Sequence, residues 1–545
     1  MKGFSKHKGV TLPITIITFV IVFIFSISIL YLVNNQGVSI GLLAPENSEI
    51  KSGSIPYQKA INYAEAGYSE YLWHLNDNVN FYLTQESKDM LNKPIEYGDG
   101  FYALDITIPS DSERYVTIKS TGWSKKSPEV KKTINVQVQK KQFVHHVYVS
   151  QQETMPPNTP VSFGGQDKLY GPVHTNGTLS TINNPGPEFF NTVSYTVRLN
   201  QSGKPTYHRG APQKIDQMTL QDTNGELKEW AKLDNAVYYG RTSIHLEGDK
   251  IRIKYPNFGT NTPNGTERLL GYKEEVINIP ENGVIYIDGK SNIYDKWEPH
   301  SGNLFISGEL SGELTIAAKD SIYITQSDPT KFYDDHQWYP GGVYYNNRSV
   351  SPPSVPTPIN KGGITYKNTK FQLDSKTGEV KISGQGKDML GLVANNNITI
   401  LHYGWLRDGS DGEDHFLNYR LSWDRRIGRW SKGYLDSRMH DVAPYTMEIS
   451  AALFALNEGF GFEDYGDGVG KGNILIWGNI TQNRRYAVRI EKYDKYGQWK
   501  QYGYGKQYVH DPRMFYHYPP HILEPINSGW EVRDWKEVND HVSTP

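Results

Sequence analysis

An uncharged, almost wholly apolar run extends from Val10 to Val33, directly after the short basic leader MKGFSKHKG. A helix of about 24 residues is roughly 36 Å long, which is enough to cross a hydrocarbon core of about 30 Å. Lys2, Lys6 and Lys8 precede the run, and no comparable positive cluster follows it closely. The positive-inside rule therefore predicts a single-pass membrane protein with a cytoplasmic N-terminus and a large ectodomain outside the cytoplasm.

The junction between leader and apolar run is Gly9-Val10-Thr11-Leu12-Pro13, which resembles the processing site of type IV prepilins. In that family a prepilin peptidase cuts after the glycine, where the missing side chain permits close approach of the backbone. A secretory signal has a shorter apolar core of about 7 to 15 residues, and a plain single-pass anchor remains the alternative. We predict processing between Gly9 and Val10, with a leader over 1–9 and a transmembrane helix over 10–33.

The fifth residue after this cut is Ile14, where major pilins carry a glutamate. A carboxylate in lipid is costly unless it is paired, so this position distinguishes subunit types. The apolar residue resembles that of PilX-like minor pilins, which have an initiating or tip position in the pilus. The resemblance implies insertion in the inner membrane, assembly with other pilins into a type IV pilus or pseudopilus, and display at the cell surface.

The composition limits what the ectodomain can be. A mean hydropathy of −0.60, with 51 Gly, 30 Pro and 38 Tyr, favours a polar, turn-rich β protein over an all-α body. The absence of cysteine excludes disulfides, thiolate metal sites and thiol catalysis. The net charge of −2 provides no global attraction for nucleic acid, so any contact with a polyanion requires a local patch.

A helix and a small antiparallel sheet are predicted after a linker over 34–56. Apolar residues recur at helical spacing from Tyr57 to Leu75, which indicates an amphipathic helix. Strand signals follow, with alternating residues and polar turns between them, over Phe101–Ile108, Tyr115–Trp123 and Val130–Lys140. A long helix followed by an antiparallel meander resembles the pilin globular head, so residues 57–145 are predicted to be pilin-like.

The remainder is predicted to be mainly β, as an irregular β-solenoid over 146–525 with long loop insertions. Short apolar strands recur about every 8 to 10 residues within 304–324, and a β-sandwich is the alternative. The tail over 526–545 contains Gly529–Trp535, which alternates like a strand. If that strand returns to the pilin-like head, the solenoid is an insertion rather than an appendage.

The same region resembles a domain of unknown function that occurs with pilin-type N-termini and large β-solenoid ectodomains. The residues that carry this resemblance are GPVHTNG at 171–177, LVANNNI at 392–398, and YGKQY at 504–508 with the HDPR at 510–513 and PP at 519–520 that follow it. Competence-associated minor pilins share the architecture and are proposed to receive DNA at the pilus tip. The resemblance thus implies extracellular binding, with DNA uptake as one form of it.

Two basic and aromatic patches are the candidate ligand-binding residues. One patch comprises Arg425, Arg426, Arg429 and Trp430, and the other comprises Arg484, Arg485, Tyr486, Arg489 and Trp499. Cations pair with backbone phosphates and aromatic rings stack on bases, so the combination suits DNA. Binding of glycans, or adhesion to a surface, is a second interpretation, and a solvated face with ordinary cation–π pairs is the third.

No cofactor is predicted, and enzymatic activity is not implied. The densest acidic cluster contains Asp408, Asp411 and Asp414 in a glycine-containing loop. It does not match the twelve-residue calcium loop, so a solvated acidic loop is the default interpretation and calcium is the alternative. The usual nucleophile and phosphate-binding motifs are missing from the sequence. A membrane-anchored polysaccharide-binding or polysaccharide-degrading β-helix protein, and a structural surface protein outside any pilus, remain alternatives.

Overall fold

The structure is a computed structural model, and the protein it shows is mainly β. It describes residues 55–109, 115–156, 158–165, 167–259, 268–290, 296, 298–332, 360–384, 386–404, 421–424, 429–432, 440–466, 470–493, 497–526 and 528–538. Within these ranges no helix has the length and apolar character that a membrane span requires. The predicted leader, membrane helix and linker, with the processing residues Gly9 and Val10, lie outside the described residues.

The helices are α1 (Ile55–Asp77), α2 (Gln85–Asp89), α3 (Gly225–Leu233) and α4 (Pro329–Phe332), with 3-10 turns at Phe81–Leu83, Phe143–His145 and Pro512–Phe515. The first strands are β1 (Ile95–Tyr97), β2 (Gly100–Thr107), β3 (Tyr115–Ser124), β4 (Ser127–Lys140), β5 (Tyr148–Gln152), β6 (Thr154–Met155), β7 (Thr159–Pro160), β8 (Lys168–Tyr170), β9 (Val173–Thr175), β10 (Thr178–Thr181), β11 (Glu188–Phe189), β12 (Val193–Tyr195), β13 (Arg198–Gln201), β14 (Thr206–Tyr207) and β15 (Gln213–Lys214). The middle strands are β16 (Val237–Tyr239), β17 (Thr242–Gly248), β18 (Lys250–Gly259), β19 (Arg268–Asn278), β20 (Val284–Asp288), β21 (Leu304–Leu310), β22 (Glu313–Ala318), β23 (Ile322–Ile324), β24 (Lys361–Tyr366), β25 (Thr369–Leu373), β26 (Val380–Gly384), β27 (Met389–Ala394) and β28 (Ile398–Ile400). The last strands are β29 (Tyr403–Gly404), β30 (Leu421–Asp424), β31 (Arg429–Lys432), β32 (His440–Asp441), β33 (Thr446–Ala455), β34 (Phe460–Phe462), β35 (Gly470–Arg484), β36 (Arg489–Tyr493), β37 (Trp499–Val509) and β38 (Trp530–Val538).

The N-terminal body, which we call the head, is a five-stranded antiparallel sheet with α1 packed against it. The strand order is β1-β2-β3-β4-β38. A side chain at Gly122 would place its Cβ 2.3 Å from both the Ala60 carbonyl oxygen and the Ala64 nitrogen. The helix therefore lies directly on β3, and the small residues of the sequence pattern are what permit this contact.

The predicted helix and strands of the head are confirmed. In β4 the side chains of Ile134, Val136 and Val138 are fully buried, as their alternation indicates. The C-terminal strand β38 pairs antiparallel with β4. Everything between β4 and β38 is consequently an insertion into the head sheet, and the tail belongs to the same body as α1 through β4.

The inserted segment winds into a coil in which strands of successive turns pair in parallel. The first column of strands runs β16-β20-β22-β27-β33-β35-β5-β9-β12-β15, and the second runs β17-β21-β23-β28-β34. The third runs β21-β24-β33-β35-β37-β8-β11-β14. The long strands β21, β33 and β35 bend to serve two columns. Gly308, at φ 116°, begins the second part of β21, which pairs with β24.

The interior of the coil is an aliphatic ladder. Ile316, Leu392, Leu453 and Ile480 occupy matching register positions in adjacent first-column strands, and each is at most 1% exposed. Parallel strands that are buried in this way have continuous apolar sequences. The short apolar runs from residue 284 onward follow this pattern. Stacking of aliphatic side chains supplies a core without any cysteine.

The turns are not stacked in chain order. The chain enters the coil at β5, beside β35, and continues outward through β9, β12 and β15. It then begins again at β16 and winds back until β37 pairs with β8. We call the junction of β35 and β37 with β5 and β8 the seam. Both connections to the head therefore leave the coil beside the seam.

Candidate functional site

The exposed basic and aromatic residues that the structure brings together lie on the β36–β37 hairpin. The second half of β37 pairs with β35 in the coil, whereas its first half pairs antiparallel with β36. Gly503 stands where the two halves meet, at φ 76°, and a Cβ there would lie 2.2 Å from the Val488 carbonyl oxygen. Glycine is needed at this bend, because other residues rarely adopt such a backbone conformation.

The register of the hairpin divides its side chains between two faces. Tyr493 lies opposite Trp499, and Lys492 lies opposite Lys500. Directly opposed residues share a face, and successive residues alternate between faces. The aromatic face therefore carries Tyr493, Trp499, Glu491, Gln501 and Arg489, and the cationic face carries Lys492, Lys500, Ile490 and Tyr502.

The aromatic face presents a large exposed pair. Tyr493 is 68% exposed and Trp499 is 58% exposed. Their ring centroids are 4.8 Å apart, and the planes meet edge to face at 70°. Arg489 forms an ion pair with Glu491 on the same face. An adjacent pair of exposed large aromatic side chains is a feature of binding surfaces, since each ring combines an apolar body with a polar tip.

The cationic face has different chemistry. Lys492 Nζ lies 4.8 Å from the centroid of the Tyr502 ring, which is a cation–π contact. Lys492 and Lys500 lie directly opposite each other, so two positive charges are adjacent on this face. Among the described residues of this face Tyr502 supplies the one ring, and Lys492 covers it.

Arg485, one of the candidate ligand-binding residues, is buried in the structure. It is 3% exposed, and its guanidinium donates to Glu153 Oε2 at 2.9 Å and lies 3.4 Å from Asp167 Oδ2. The guanidinium also lies 3.8 Å from the centroid of the Phe163 ring. A buried arginine that is paired in this way cannot contact an external ligand. The local sequence gives no sign of this, because Arg484 and Arg485 are adjacent and alike.

Arg485 belongs to a buried ionic cluster at the seam. Lys506 Nζ lies 3.1 Å from Asp167 Oδ1 and completes the set. Burial alone would raise the pKa of the Asp167 carboxyl, but Lys506 and Arg485 hold that pKa below its usual value. Burial also lowers the pKa of Lys506, and Asp167 opposes that shift. The two cations and two carboxylates compensate one another, so the cluster is structural.

The other residues of this predicted patch separate. Arg484 is half-buried, with its guanidinium 3.5 Å from Asn158 Oδ1. The Tyr486 hydroxyl donates to Glu458 at 2.7 Å, and burial together with this bond raises the pKa of that hydroxyl. Neither side chain adjoins the aromatic pair by any contact within the described part of the chain. Of the predicted patch, Arg489 and Trp499 remain together on one face.

Two of the remaining sequence candidates lie within the described residues. Arg429 and Trp430 lie in β31, which pairs with β30 in a hairpin of its own. The residues Arg425, Arg426, Asp408, Asp411 and Asp414 lie outside the described residues. The predicted DNA patch and the calcium alternative in this segment therefore stay predictions.

A cluster that the sequence analysis missed lies on the outside of the coil. His245 and Glu247 of β17 and Asp328 offer ligand atoms that all lie within 4.8 Å of one another. Arg252 donates to Glu247 at 3.0 Å, however, and Lys331 Nζ lies 3.1 Å from Asp328. Because each carboxylate already faces a cation, we interpret the cluster as an ion-pair network. Asp328 is distant in sequence from His245 and Glu247, so only the fold could reveal the cluster.

Comparison of this chain with models of protein families, with curated proteins and with solved structures found no match.

Proposed function

We propose that the protein is a minor pilin that displays its coil as a β-solenoid for extracellular binding, at the tip of a type IV pilus or pseudopilus. The supporting observation is the insertion of the coil between β4 and β38, within a helix-on-sheet body. In the sequence, an apolar segment with a prepilin-like junction precedes that body, with the linker over 34–56 between them. The order of leader, apolar helix, packed helix and antiparallel sheet resembles a pilin.

The attachment of the coil suits presentation of a binding surface. The coil is connected to the head at both of its ends, through β4 and through β38. In addition, the Tyr57 hydroxyl of α1 donates to Glu537 of β38 at 2.6 Å. A segment held at both ends is less free to reorient than one on a single linker. A ligand bound on the coil would then transmit load to the head along two chain segments.

The hairpin supports binding, and its division bears on what is bound. Proteins that bind single-stranded DNA present stacking aromatic rings and cationic side chains along one groove. Here the exposed rings of Tyr493 and Trp499 and the charges of Lys492 and Lys500 occupy opposite faces. The DNA uptake implied by the resemblance therefore has less support from this hairpin than a ligand that uses one face alone.

The test of the pilin proposal is processing and location. We expect the mature chain in membranes to begin at Val10 by intact mass, and we expect Gly9→Val to block this processing because a branched side chain obstructs the peptidase. Gly3→Val is the matched control, since it changes a leader glycine away from the junction. Sheared and purified pili should carry the processed chain at one end. Retention of Met1 in a strain with active prepilin peptidase would refute the proposal.

A further inference from the structure

We propose that the aromatic face of the β36–β37 hairpin binds a neutral polysaccharide through the Tyr493 and Trp499 rings. This inference rests on the proposed function, because it names the ligand class for the displayed surface. The cationic face takes no part in it. Three properties of the face lead to this ligand: its exposed rings, its polar side chains and its charge.

The exposed rings match the apolar side of a sugar. A pyranose has a face made of C–H groups, and its hydroxyls project around the edge. Covering that face with an indole or phenol removes apolar surface from water, while the hydroxyls keep their hydrogen bonds. Trp499 and Tyr493 are the exposed pair here, at 58% and 68%. The edge-to-face angle of 70° gives two differently oriented surfaces, which suits successive, mutually rotated sugar units.

The polar side chains on the same face suit hydroxyl groups. Gln501 carries an amide that both donates and accepts, and Glu491 carries a carboxylate that accepts. The two residues are directly opposed in the register, next to the ring pair. These donors and acceptors can form hydrogen bonds with sugar hydroxyls, and the ligand needs no formal charge for this.

The charge of the face argues against an anion. Glu491 is the acidic group on this face, and Arg489, its one cation among the described residues, is already paired with it. Among the described residues of that face, a phosphate chain laid on Trp499 would meet no unpaired positive side chain, and counterion release by them would contribute little. A neutral polysaccharide needs no unpaired cation, so the Arg489–Glu491 ion pair does not weaken its binding. The observations therefore favour a polysaccharide over a nucleic acid.

The experiment measures binding by the full chain, purified in detergent, so its result does not depend on pilus assembly. The probes are cellohexaose, mannohexaose and chitohexaose, with a single-stranded thymidine 20-mer as the anionic competitor. We expect at least one hexasaccharide to bind, and Trp499→Ala to weaken that binding by about tenfold or more, since large aromatic anchors dominate such contacts. Lys492→Ala, on the opposite face, and Trp535→Ala, an exposed tryptophan of the head, are the matched controls and should leave the affinity unchanged.

Each outcome decides the proposal. Failure of all three hexasaccharides to bind at millimolar concentration would overturn it, as would binding that Trp499→Ala leaves intact. Binding of the thymidine 20-mer that is lost in Trp499→Ala would overturn it in favour of nucleic acid. Trp499 is exposed, so its removal does not open the core. Normal processing at Gly9 together with absent sugar binding would leave the pilin proposal standing.

Discussion

Arg485 donates a 2.9 Å hydrogen bond to Glu153 although 332 positions separate the two residues in the chain. Arg485 directly follows β35 and Glu153 directly follows β5, and these strands pair in parallel at the seam. The contact thus joins the first turn that the chain makes in the coil to the last one. Both partners are buried, so neither can exchange this contact for water.

The first prediction concerns this ion pair. Arg485→Met keeps an unbranched side chain against Phe163 but leaves Glu153 and Asp167 without their common cation. Removing one partner of a buried pair costs about 3 to 5 kcal/mol of unfolding free energy. Urea denaturation followed by tryptophan fluorescence measures the change. Arg484→Met is the matched control and should cost less than about 1 kcal/mol, and an equal loss in both variants would contradict the role of the seam.

The second prediction concerns the contact between α1 and β3. Gly122→Ala places a methyl group 2.3 Å from backbone atoms of Ala60 and Ala64, so the helix must move away from the sheet. Overpacking of this kind costs about 1 to 3 kcal/mol. Gly164→Ala is the control, because no atom lies within 4 Å of the added group there. The thermal midpoint should fall in Gly122→Ala only, and unchanged melting would mean that the helix does not lie on β3.

The head could be predicted from the sequence, whereas the seam could not. The alternation of Ile134, Val136 and Val138 is local, and burial of one sheet face follows from it. The burial of Arg485, by contrast, depends on which distant strand pairs with β35. No short pattern encodes that choice, because parallel pairing joins segments of any separation. The strand texture predicted many short β-strands, but not that β5 and β35 are neighbours.

The candidate site was predictable in composition and not in arrangement. The clustering of lysine, tyrosine and tryptophan near residue 495 is visible in the sequence. Whether Lys492 shares a face with Trp499 depends on the register across the turn, which sets Tyr493 opposite Trp499. A shift of one residue would move every side chain of one strand to the other face. The register therefore determines whether the patch resembles a nucleic-acid site or a sugar site.

The third prediction concerns acid stability. Burial lowers the pKa of His510 from its usual 6.5 to about 4, and the ring bonds the Val144 carbonyl through Nε2 at 2.7 Å. Below pH 6.5 the unfolded chain binds a proton that the folded chain does not, so the stability present above pH 6.5 is lost as the pH falls toward 4. Titration of this group should lower the free energy of unfolding by about 2 kcal/mol between pH 7 and pH 5.

The measurement for this third prediction is urea denaturation at both pH values. His510→Gln retains an amide donor for Val144 but does not titrate. The unfolding free energy of this variant should therefore fall by about 2 kcal/mol less than that of the wild type between pH 7 and pH 5. His208→Gln changes a histidine whose side chain is 37% exposed and serves as the control. The same pH difference in wild type and His510→Gln would contradict the assignment.

The fourth prediction concerns the return of the chain to the head. Trp530 is 4% exposed, its ring nitrogen donates to the Val79 carbonyl at 3.1 Å, and its backbone nitrogen donates to Asn76 at 2.8 Å. Trp530→Ala removes the buried ring that fixes the start of β38, which costs about 3 to 5 kcal/mol. Trp535→Ala, in the same strand but 41% exposed, should cost less than about 1 kcal/mol.

Limited proteolysis distinguishes a general loss of stability from loss of the attachment of β38 to the head. Tyr516 lies in the segment between β37 and β38, is 62% exposed and contacts Arg533 of β38. If Trp530 anchors β38, then Trp530→Ala should make chymotrypsin cleave this segment at Tyr516 while the coil remains resistant, because the coil retains its own pairing through β37 and β8. Trp535→Ala should give the wild-type pattern. Simultaneous digestion of coil and segment would show instead that the coil depends on the head for its folding, and equal resistance of both variants would contradict the anchoring role of Trp530.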